Sequence, residues 1–337
     1  MKSPAPPSRA RRAYPRQRGA AVLLALFIVT LATLIVSELF WRQFVLFRTA
    51  QNQQESVQAR LLLDGAQQWA RLILLDQAHP AYDTLTDPWA QPLAPTPLEQ
   101  LGDATPLVGA ATIEGSIEDA QARFNLRNLL LINGAINPGQ FAVLDKLASL
   151  LHAPSGTADL IAGYVAQSYA SLSAAGGSPL QASGGAVAGA AAQVAVARAM
   201  PPVLPEDLIG IPGIDPGAAQ ALSRFLIMLD RPNTAVNFNT APAEIMAATV
   251  PGLSLSDALA LASERDRAYF VSVADIQNRL NGRGGEGGLN GVSTNSSYFI
   301  VQGIVHLDHA ATRERALLRR AGTGSQGQMT VLWKQEE

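Results

Sequence analysis

Residue types that often do chemistry are scarce in this sequence. Cysteine is absent, and there are four histidines: His79, His152, His306 and His309. The two closest lie in the stretch HLDH, but on a strand His306 and Asp308 would point to one face and His309 to the other, away from a shared metal. The sequence has no phosphate-binding glycine loop of the P-loop pattern and no helical His-Glu-x-x-His zinc pattern. We therefore expect neither an enzyme nor catalytic residues.

A single glycine, Gly19, separates a basic leader from a long apolar run. The leader contains six Lys and Arg residues and no acidic one, and Glu38 is the only ionisable residue from Ala20 to Phe40. As a helix, this run is long enough to cross roughly 30 Å of hydrocarbon. Because Lys and Arg accumulate on the cytoplasmic side of membranes, the leader should stay in the cytoplasm and the chain after Trp41 should lie outside it.

Three interpretations of this segment differ in the fate of the leader. A secretory signal would be removed together with its apolar part, but this run is about twice the usual length and no small-x-small cleavage site follows it. An uncleaved anchor would keep the whole segment. A cut beside Gly19 would remove only the leader and leave the apolar helix in the mature protein.

Charge is distributed unevenly along the chain. The net charge is −2, but the leader is basic, so the chain from Arg42 onward carries about −7. Affinity for nucleic acid rests largely on clustered Lys and Arg, which displace counterions from phosphates. The acidic body therefore argues against a nucleic-acid partner.

The apolar run continues into an amphipathic segment between Gln51 and Gln77. Apolar residues recur there at helical spacing, and they are Val57, Leu61, Trp69, Leu72 and Leu75. We expect one helix from Ala20 to Ala78, ended by the proline-rich region Pro80–Pro106. The seam formed by Val57, Leu61 and Trp69 could pack against partner helices or against the core of its own subunit.

The rest of the chain has strand patterns on either side of a helical block. The strand patterns lie at Ala110–Ile117, Tyr298–Leu307, Arg313–Arg319 and Thr330–Trp333, and helical patterns concentrate between Asn133 and Asn281. Within that block, Ser171–Met200 is rich in Gly, Ala and Ser and is expected to be a mobile surface segment. The fold class is predicted to be α+β, with a long helix packed on an antiparallel sheet and a mostly helical insertion.

The leader with its glycine resembles the class III leader of type IV pilins and type II secretion pseudopilins. In that family a prepilin peptidase cuts after the glycine, here between Gly19 and Ala20, and the new terminal amine is methylated. Most members have a glutamate at the fifth mature position, where this chain has Leu24. An unpaired carboxylate is costly in hydrocarbon, so a subunit without one suits the filament tip, where no subunit above presents an amine. This pattern resembles the minor pseudopilin family called general secretion pathway protein K.

Four further stretches resemble landmarks of that family in the same order. They are DAQARFNLRNLL (Asp119–Leu130), NFNTAPAEIMAA (Asn237–Ala248), SSYFIVQGIV (Ser296–Val305) and MTVLWKQ (Met329–Gln335). The resemblance implies a pseudopilin fold divided into a cleaved leader (1–19), a transmembrane helix (20–41), a first pseudopilin part (42–132), a helical insertion (133–291) and C-terminal pseudopilin strands (292–337).

The resemblance also implies a function in type II protein secretion. The subunit would sit at the tip of the periplasmic pseudopilus and help to initiate or cap its assembly. Its expected partners are other minor pseudopilins, the major pseudopilin, the prepilin peptidase and the inner-membrane secretion platform. Its expected location is the bacterial inner membrane, with a cytoplasmic N-terminus and a periplasmic C-terminal domain.

An alternative function comes from two glycine turns in the helical block. LIGIPGIDPGAAQALSRFL (Leu208–Leu226) and TVPGLSLSDALALASERD (Thr249–Asp266) both resemble helix-hairpin-helix units. Such turns can present backbone N–H groups to a DNA phosphate, reinforced by nearby Lys or Arg. These turns are instead followed by Asp215 and by Ser254–Asp257, and neither copy contains lysine. The alternative function is therefore a membrane-anchored DNA receptor. The simpler interpretation is that the two turns serve helix packing or a protein contact.

Calcium is the one cofactor to consider, because pseudopilins of this kind can bind it. The ion takes six to eight oxygen ligands, and the loop Asn281–Ser297 offers Glu286, Asn290 and Asn295, which include one carboxylate. The family commonly has an acidic stretch where this chain has its Ala/Gly/Ser segment after Tyr169. That departure counts against a family-type calcium site, and a flexible glycine-rich turn is the alternative interpretation of the loop.

Overall fold

The computed structural model describes residues 18–76, 79, 81–98, 111–176, 202, 204–283, 288–307, 310–322, 324 and 327–336. The chain forms two compact units, residues 1–58 and 59–337, and helix α1 (Arg18–Leu75) contributes to both. Several features predicted from the sequence lie outside the described residues. They are most of the leader (1–17), part of the proline-rich region (80 and 99–106), most of the Ala/Gly/Ser segment (177–200), Glu286, Asp308 and His309.

The first unit contains α1 up to Gln58. The helix is long and apolar enough to cross a membrane, and its large apolar side chains are exposed, for example Leu24 at 62% and Phe40 at 69%. The hydroxyls of Thr30 and Thr33 each donate to a backbone carbonyl one turn earlier, at 2.8 Å. Inside hydrocarbon, polar groups must find their hydrogen-bond partners within the protein, as these hydroxyls do. This unit therefore has the length, composition and hydrogen bonding of a single-pass membrane anchor.

The second unit begins with the last part of α1 and contains the remaining elements. In chain order these are β1 (Leu93–Pro97), β2 (Ala111–Asp119), β3 (Phe124–Asn125), α2 (Pro138–Leu150), α3 (Thr157–Gly176), α4 (Pro216–Ser223), β4 (Leu226–Ile227), β5 (Val236–Asn237), α5 (Ala243–Thr249), α6 (Leu255–Arg267), α7 (Val273–Leu280), β6 (Val292–Ser293), β7 (Tyr298–Leu307), β8 (Ala310–Ala321) and β9 (Gln328–Glu336).

Five of these strands form one antiparallel sheet in the order β1-β2-β7-β8-β9. Strand β2 pairs with β7 although the helical block lies between them in sequence. The predicted α+β class is confirmed, and β8 and β9 extend beyond their predicted limits. Strand β1 was not predicted because its sequence, LAPTP, contains two prolines, which disfavour a strand. The two short parallel pairs, β3 with β4 and β5 with β6, were not predicted because two-residue strands carry no readable alternation.

One face of the sheet packs against α1. Ala59, Leu63, Gln67, Ala70 and Leu74 recur every three or four residues along the helix and are all buried. On the sheet, alternate residues of β2 and β7 face them, since side chains on a strand point to opposite faces in turn. The opposite face packs on residues that follow β4, where Leu229 meets Ile300 and Leu317 in one buried cluster.

In the described part of the helical block, the buried apolar residues form one cluster that runs from Phe124 to Val292. Its helices begin at well-formed caps: the side chain of Asn137 accepts from the first-turn N–H groups of α2, and Ser272 caps α7 in the same way. Both glycine turns are present, with Gly213 at φ +85° before α4 and Gly252 at φ +77° before α6. Positive φ is the reason for glycine at these two positions.

Candidate functional site

The predicted processing site lies at the start of the anchor. Helix α1 begins at Arg18, so Gly19 and Ala20 fall in its first turn, and that turn contains no acidic residue. Leu24 lies one turn further on and is exposed. A single ion pair follows in this unit, where Arg42 Nε donates to Glu38 Oε1 at 2.8 Å. Cleavage between Gly19 and Ala20 stays a prediction.

The predicted seam lies on exposed positions of α1. In the first unit, Val57 is 55% exposed, and in the second unit Leu61 and Trp69 are 66% and 49% exposed. These positions alternate with the buried set that packs on the sheet, so they do not form the subunit core. The part of α1 that lies in the second unit is therefore apolar on two faces. The five-stranded sheet covers one of them.

Ion pairs join the exposed flank of α1 to the last strand, β9. Lys334 Nζ lies 2.6 Å from Asp64 and 3.4 Å from Glu314, and Arg60 lies 2.8 Å from Glu336. Exposed pairs of this kind contribute little individually, about 0–1 kcal/mol. The pairs of Asp64 and Arg60 connect α1 with β9, and the Lys334–Glu314 pair connects β9 with β8.

A buried polar network joins the sheet to the helical block, and its centre is Asp119 at the end of β2. One carboxylate oxygen, Oδ2, accepts hydrogen bonds from Ser296 Oγ at 2.6 Å, Thr240 Oγ1 at 2.5 Å and Asn237 Nδ2 at 2.9 Å. The other oxygen accepts from the backbone N–H of Gln121 at 2.8 Å. Burial nevertheless raises the pKa of Asp119 to about 6, because desolvation of the charged form outweighs these bonds.

A buried ion pair adjoins this network. Arg320 on β8 lies 2.7 Å from Oδ2 of Asp83, and both side chains are almost fully buried. The same guanidinium donates to the carbonyls of Leu74 and Ser296 at 3.0 and 2.6 Å. It also lies over the Phe299 ring, 4.7 Å from the centroid. Arg320 thus ties the end of α1 to the turn before β7.

The network unites three of the stretches that the sequence analysis singled out. Asp119 opens the first landmark stretch, Asn237 the second and Ser296 the third. Sequence reasoning identified the stretches but not their convergence, since these residues are up to 177 positions apart. The sequence signal that could have indicated this network is the recurrence of Asn, Asp and Ser next to short apolar runs.

The loop considered for calcium is described only in part. Asn290 and Asn295 are exposed, and the Ser293 hydroxyl donates to Asn295 Oδ1 at 2.8 Å. Glu286 lies outside the described residues. Within the described part of the chain, no three His, Asp or Glu side chains are grouped as metal ligands. Calcium binding at this loop stays a prediction.

The two glycine turns are not open to a phosphate in the way the alternative function needs. At α4 the Asp215 carboxylate accepts from the Ala218 N–H at 2.8 Å, and at α6 the Ser254 hydroxyl accepts from the Asp257 N–H at 3.1 Å. Lys146 approaches the second turn, but its ammonium donates to the carbonyls of Val250 and Leu253. Each turn therefore uses its own side chain to cap the start of the helix that follows it, although both turns lie at the surface.

Comparison with known proteins found similar proteins at two levels, a family model and solved structures. A family model described as Type II secretion system (T2SS), protein K, matches residues 236–295. A chain of the crystal structure of the GspK-GspI-GspJ complex from the enterotoxigenic Escherichia coli Type 2 Secretion System aligns with a TM-score of 0.63 and 22% identity, covering 86% of this chain and 99% of that one. No curated protein sequence matches.

These comparisons bear on the predicted resemblance. The resemblance to protein K of type II secretion is confirmed over residues 236–295, which include Asn237 and reach the residue before Ser296. At 22% identity the structural likeness shows the fold, which the two chains share over most of their length.

Proposed function

We propose that this chain is a minor pseudopilin of a type II protein secretion system that initiates or caps the pseudopilus at its tip. The observation that carries the proposal is the combination, in one chain, of an apolar N-terminal helix with a five-stranded sheet on which that helix ends. The match of the protein K family model to residues 236–295 supports it independently.

The proposed partners are other minor pseudopilins, with the major pseudopilin below them. The similar solved structure comes from a complex of three proteins, GspK, GspI and GspJ. In this chain Leu61, Trp69 and Leu72 supply an exposed apolar face on α1 in the second unit. Exposed apolar residues at helical spacing are what a partner helix needs for packing.

The tip position follows from two features. Leu24 stands where most pilins have a glutamate, so this subunit would not need an amine from a subunit above. The helical block adds a large second body to the pilin-type sheet, and this bulk would obstruct a further subunit. In this proposal the peptidase removes residues 1–19, the leader faces the cytoplasm, and the second unit lies in the periplasm.

Site-specific photo-crosslinking tests the proposed assembly. A photoreactive phenylalanine at Leu61, in cells with an active secretion system, should yield covalent products with other pseudopilins. Leu259 on α6, 53% exposed against 66% for Leu61, is the matched control and should yield few. A clean deletion should impair export and alter pseudopilus number or length. Normal export with normal pseudopili in the deletion strain would contradict the proposal.

Calcium is proposed only as a ligand of the loop Asn281–Ser297. Titration of the full chain with calcium after chelation, compared with a Glu286→Gln variant, tests this. Saturable binding that the variant weakens would support a calcium site in this loop. Identical titrations of the two proteins would contradict it.

A further inference from the structure

A cavity of about 450 Å³ lies between α1 and the sheet, within the second unit. Helix α1 forms one wall, residues 113–117 and 301–303 form the floor, and the segment from Pro88 to Leu93 forms the roof. Trp69 lines the cavity and is also half exposed, so the cavity reaches the surface beside it. Its volume is within the range of about 300–1,000 Å³ that is typical of small-molecule sites.

The cavity is there because two glycines face each other on the sheet. Gly115 of β2 pairs with Gly303 of β7. The neighbouring positions on the α1 face are large: Ile113 and Ile117 on β2 flank Gly115. The glycine pair therefore divides the interface into two separate buried clusters, one containing Leu63 with Val305 and Ile113, the other containing Leu74 with Phe299 and Val301.

A polar side chain in the wall of the cavity has an unused hydrogen-bonding group. Gln67 is 3% exposed and lines the cavity, and its amide Nε2 has no hydrogen-bond partner among the described residues. A buried donor without a partner costs about 1–3 kcal/mol. The terminal torsion of glutamine is broad, so the amide can turn either its N–H or its oxygen toward a guest molecule.

The remaining lining sets the charge of such a guest. Apart from Gln67, the helix contributes apolar residues, among them Ala66, Ala70 and Ile73, and the roof contributes Trp89. Glu114 and Glu314 also border the cavity. Glu314 is already paired with Lys334, so the charge preference rests on desolvation: a carboxylate or phosphate would lose its hydration in this apolar space.

We propose that this cavity is a binding site for an uncharged, mainly aliphatic molecule that ends in a hydroxyl or ester group. The aliphatic part would lie between Ala66, Ala70 and the glycine pair, and the polar end would bond to the Gln67 amide. Burial of an alkyl chain contributes about 0.8 kcal/mol per methylene, and the Gln67 bond fixes the end that must stay polar.

Displacement of a fluorescent probe tests this site in the full chain held in amphipol. The probe is N-phenylnaphthylamine, which is uncharged and brightens in apolar sites. We expect a saturable component of one probe per chain that decanol displaces, with decanoate at least tenfold weaker. Ala66→Phe, which fills the cavity from a half-buried helix position, should abolish that component. Ala260→Phe, at an exposed position of α6, is the control and should retain it.

A second variant tests the polar contact without filling the space. Gln67→Leu should weaken decanol about fivefold, the effect of one neutral hydrogen bond, and leave decane unaffected or tighter. Equal probe binding by the wild type and Ala66→Phe, with both folded, would overturn the site. Displacement by decanoate as effective as by decanol would overturn the assigned ligand class. Absence of any saturable component would also contradict the proposal.

Discussion

The helical block and the α1–sheet interface bury their apolar side chains in different ways. The block has one continuous cluster from Phe124 to Val292, in which helices, short parallel strands and capped turns all share neighbours. The interface has two smaller clusters separated by the glycine pair. Ion pairs on Lys334 and Arg320 supplement the interface. The block therefore owes its order to packing, whereas α1 depends on packing together with specific polar contacts.

Matched leucine truncations should show the largest contrast. Leu144 in the block and Leu63 on α1 are both at most 2% exposed. We expect Leu144→Ala to lower the unfolding free energy by about 4–5 kcal/mol and Leu63→Ala by about 2–3 kcal/mol, because Leu63 already borders a cavity and has fewer contacts to lose. Denaturant unfolding of the solubilised full chain measures both. Equal losses would mean that the interface is packed as tightly as the block.

Removal of the buried guanidinium should be nearly as damaging. Arg320→Met removes the cationic partner of the buried Asp83 carboxylate and should cost about 3–5 kcal/mol. Arg319→Met, next in sequence, breaks a more exposed pair with Asp230 and should cost about 1 kcal/mol or less. Thermal unfolding compares the two variants. A small effect of Arg320→Met would show that the end of α1 is held by packing alone.

The junction between the two regions should respond to pH. The pKa of Asp119 is about 6 in the folded chain, above its ordinary value of 3.8, so the folded state binds this proton more tightly than the unfolded state. The unfolding free energy should therefore rise as pH falls from about 6 to about 4, by on the order of 2–3 kcal/mol from this group.

The matched measurement for this group is the difference between the pH profiles of the wild type and Asp119→Asn. Asparagine cannot take up the proton, so the variant should lack this rise between pH 4 and 6. Parallel profiles would mean that Asp119 stays ionised in the folded chain throughout that range.

Alanine substitution of the two facing glycines should give the smallest difference in stability between two variants. A Cβ at Gly115 would lie 2.9 Å from the backbone oxygen of Gln302, which cannot move without breaking the sheet, and should cost about 1–3 kcal/mol. A Cβ at Gly303 would lie 3.0 Å from Cδ2 of Leu63, which can shift into the cavity. Gly303→Ala should therefore change stability by less than about 1 kcal/mol. The reverse order in thermal unfolding would contradict the cavity geometry.

Much of the fold could be predicted from local sequence patterns. The apolar run after Gly19, the alternation in Tyr298–Leu307 and the helical spacing from Asn133 onward each depend on residues close together in the chain. The α+β class and the resemblance to protein K of type II secretion followed from these patterns and from the landmark stretches.

The rest could not be predicted because it depends on which distant residues meet. Periodicity indicated an apolar face on α1 at Leu61 and Trp69 but not that a second face, with Leu63 and Leu74, is the one packed on the sheet. The pairing of Gly115 with Gly303 depends on register across the long helical insertion. The same applies to Asp119 and its partners, which only the folded chain brings together.

The intact mass and N-terminal peptide of the protein purified from membranes, with and without the prepilin peptidase, test the proposed function most directly. We expect a mature chain that begins at Ala20, carries a methylated amine, and appears only when the peptidase is active. A chain that retains residues 1–19 in cells with active peptidase would contradict the assignment as a pseudopilin, whatever the likeness of its fold.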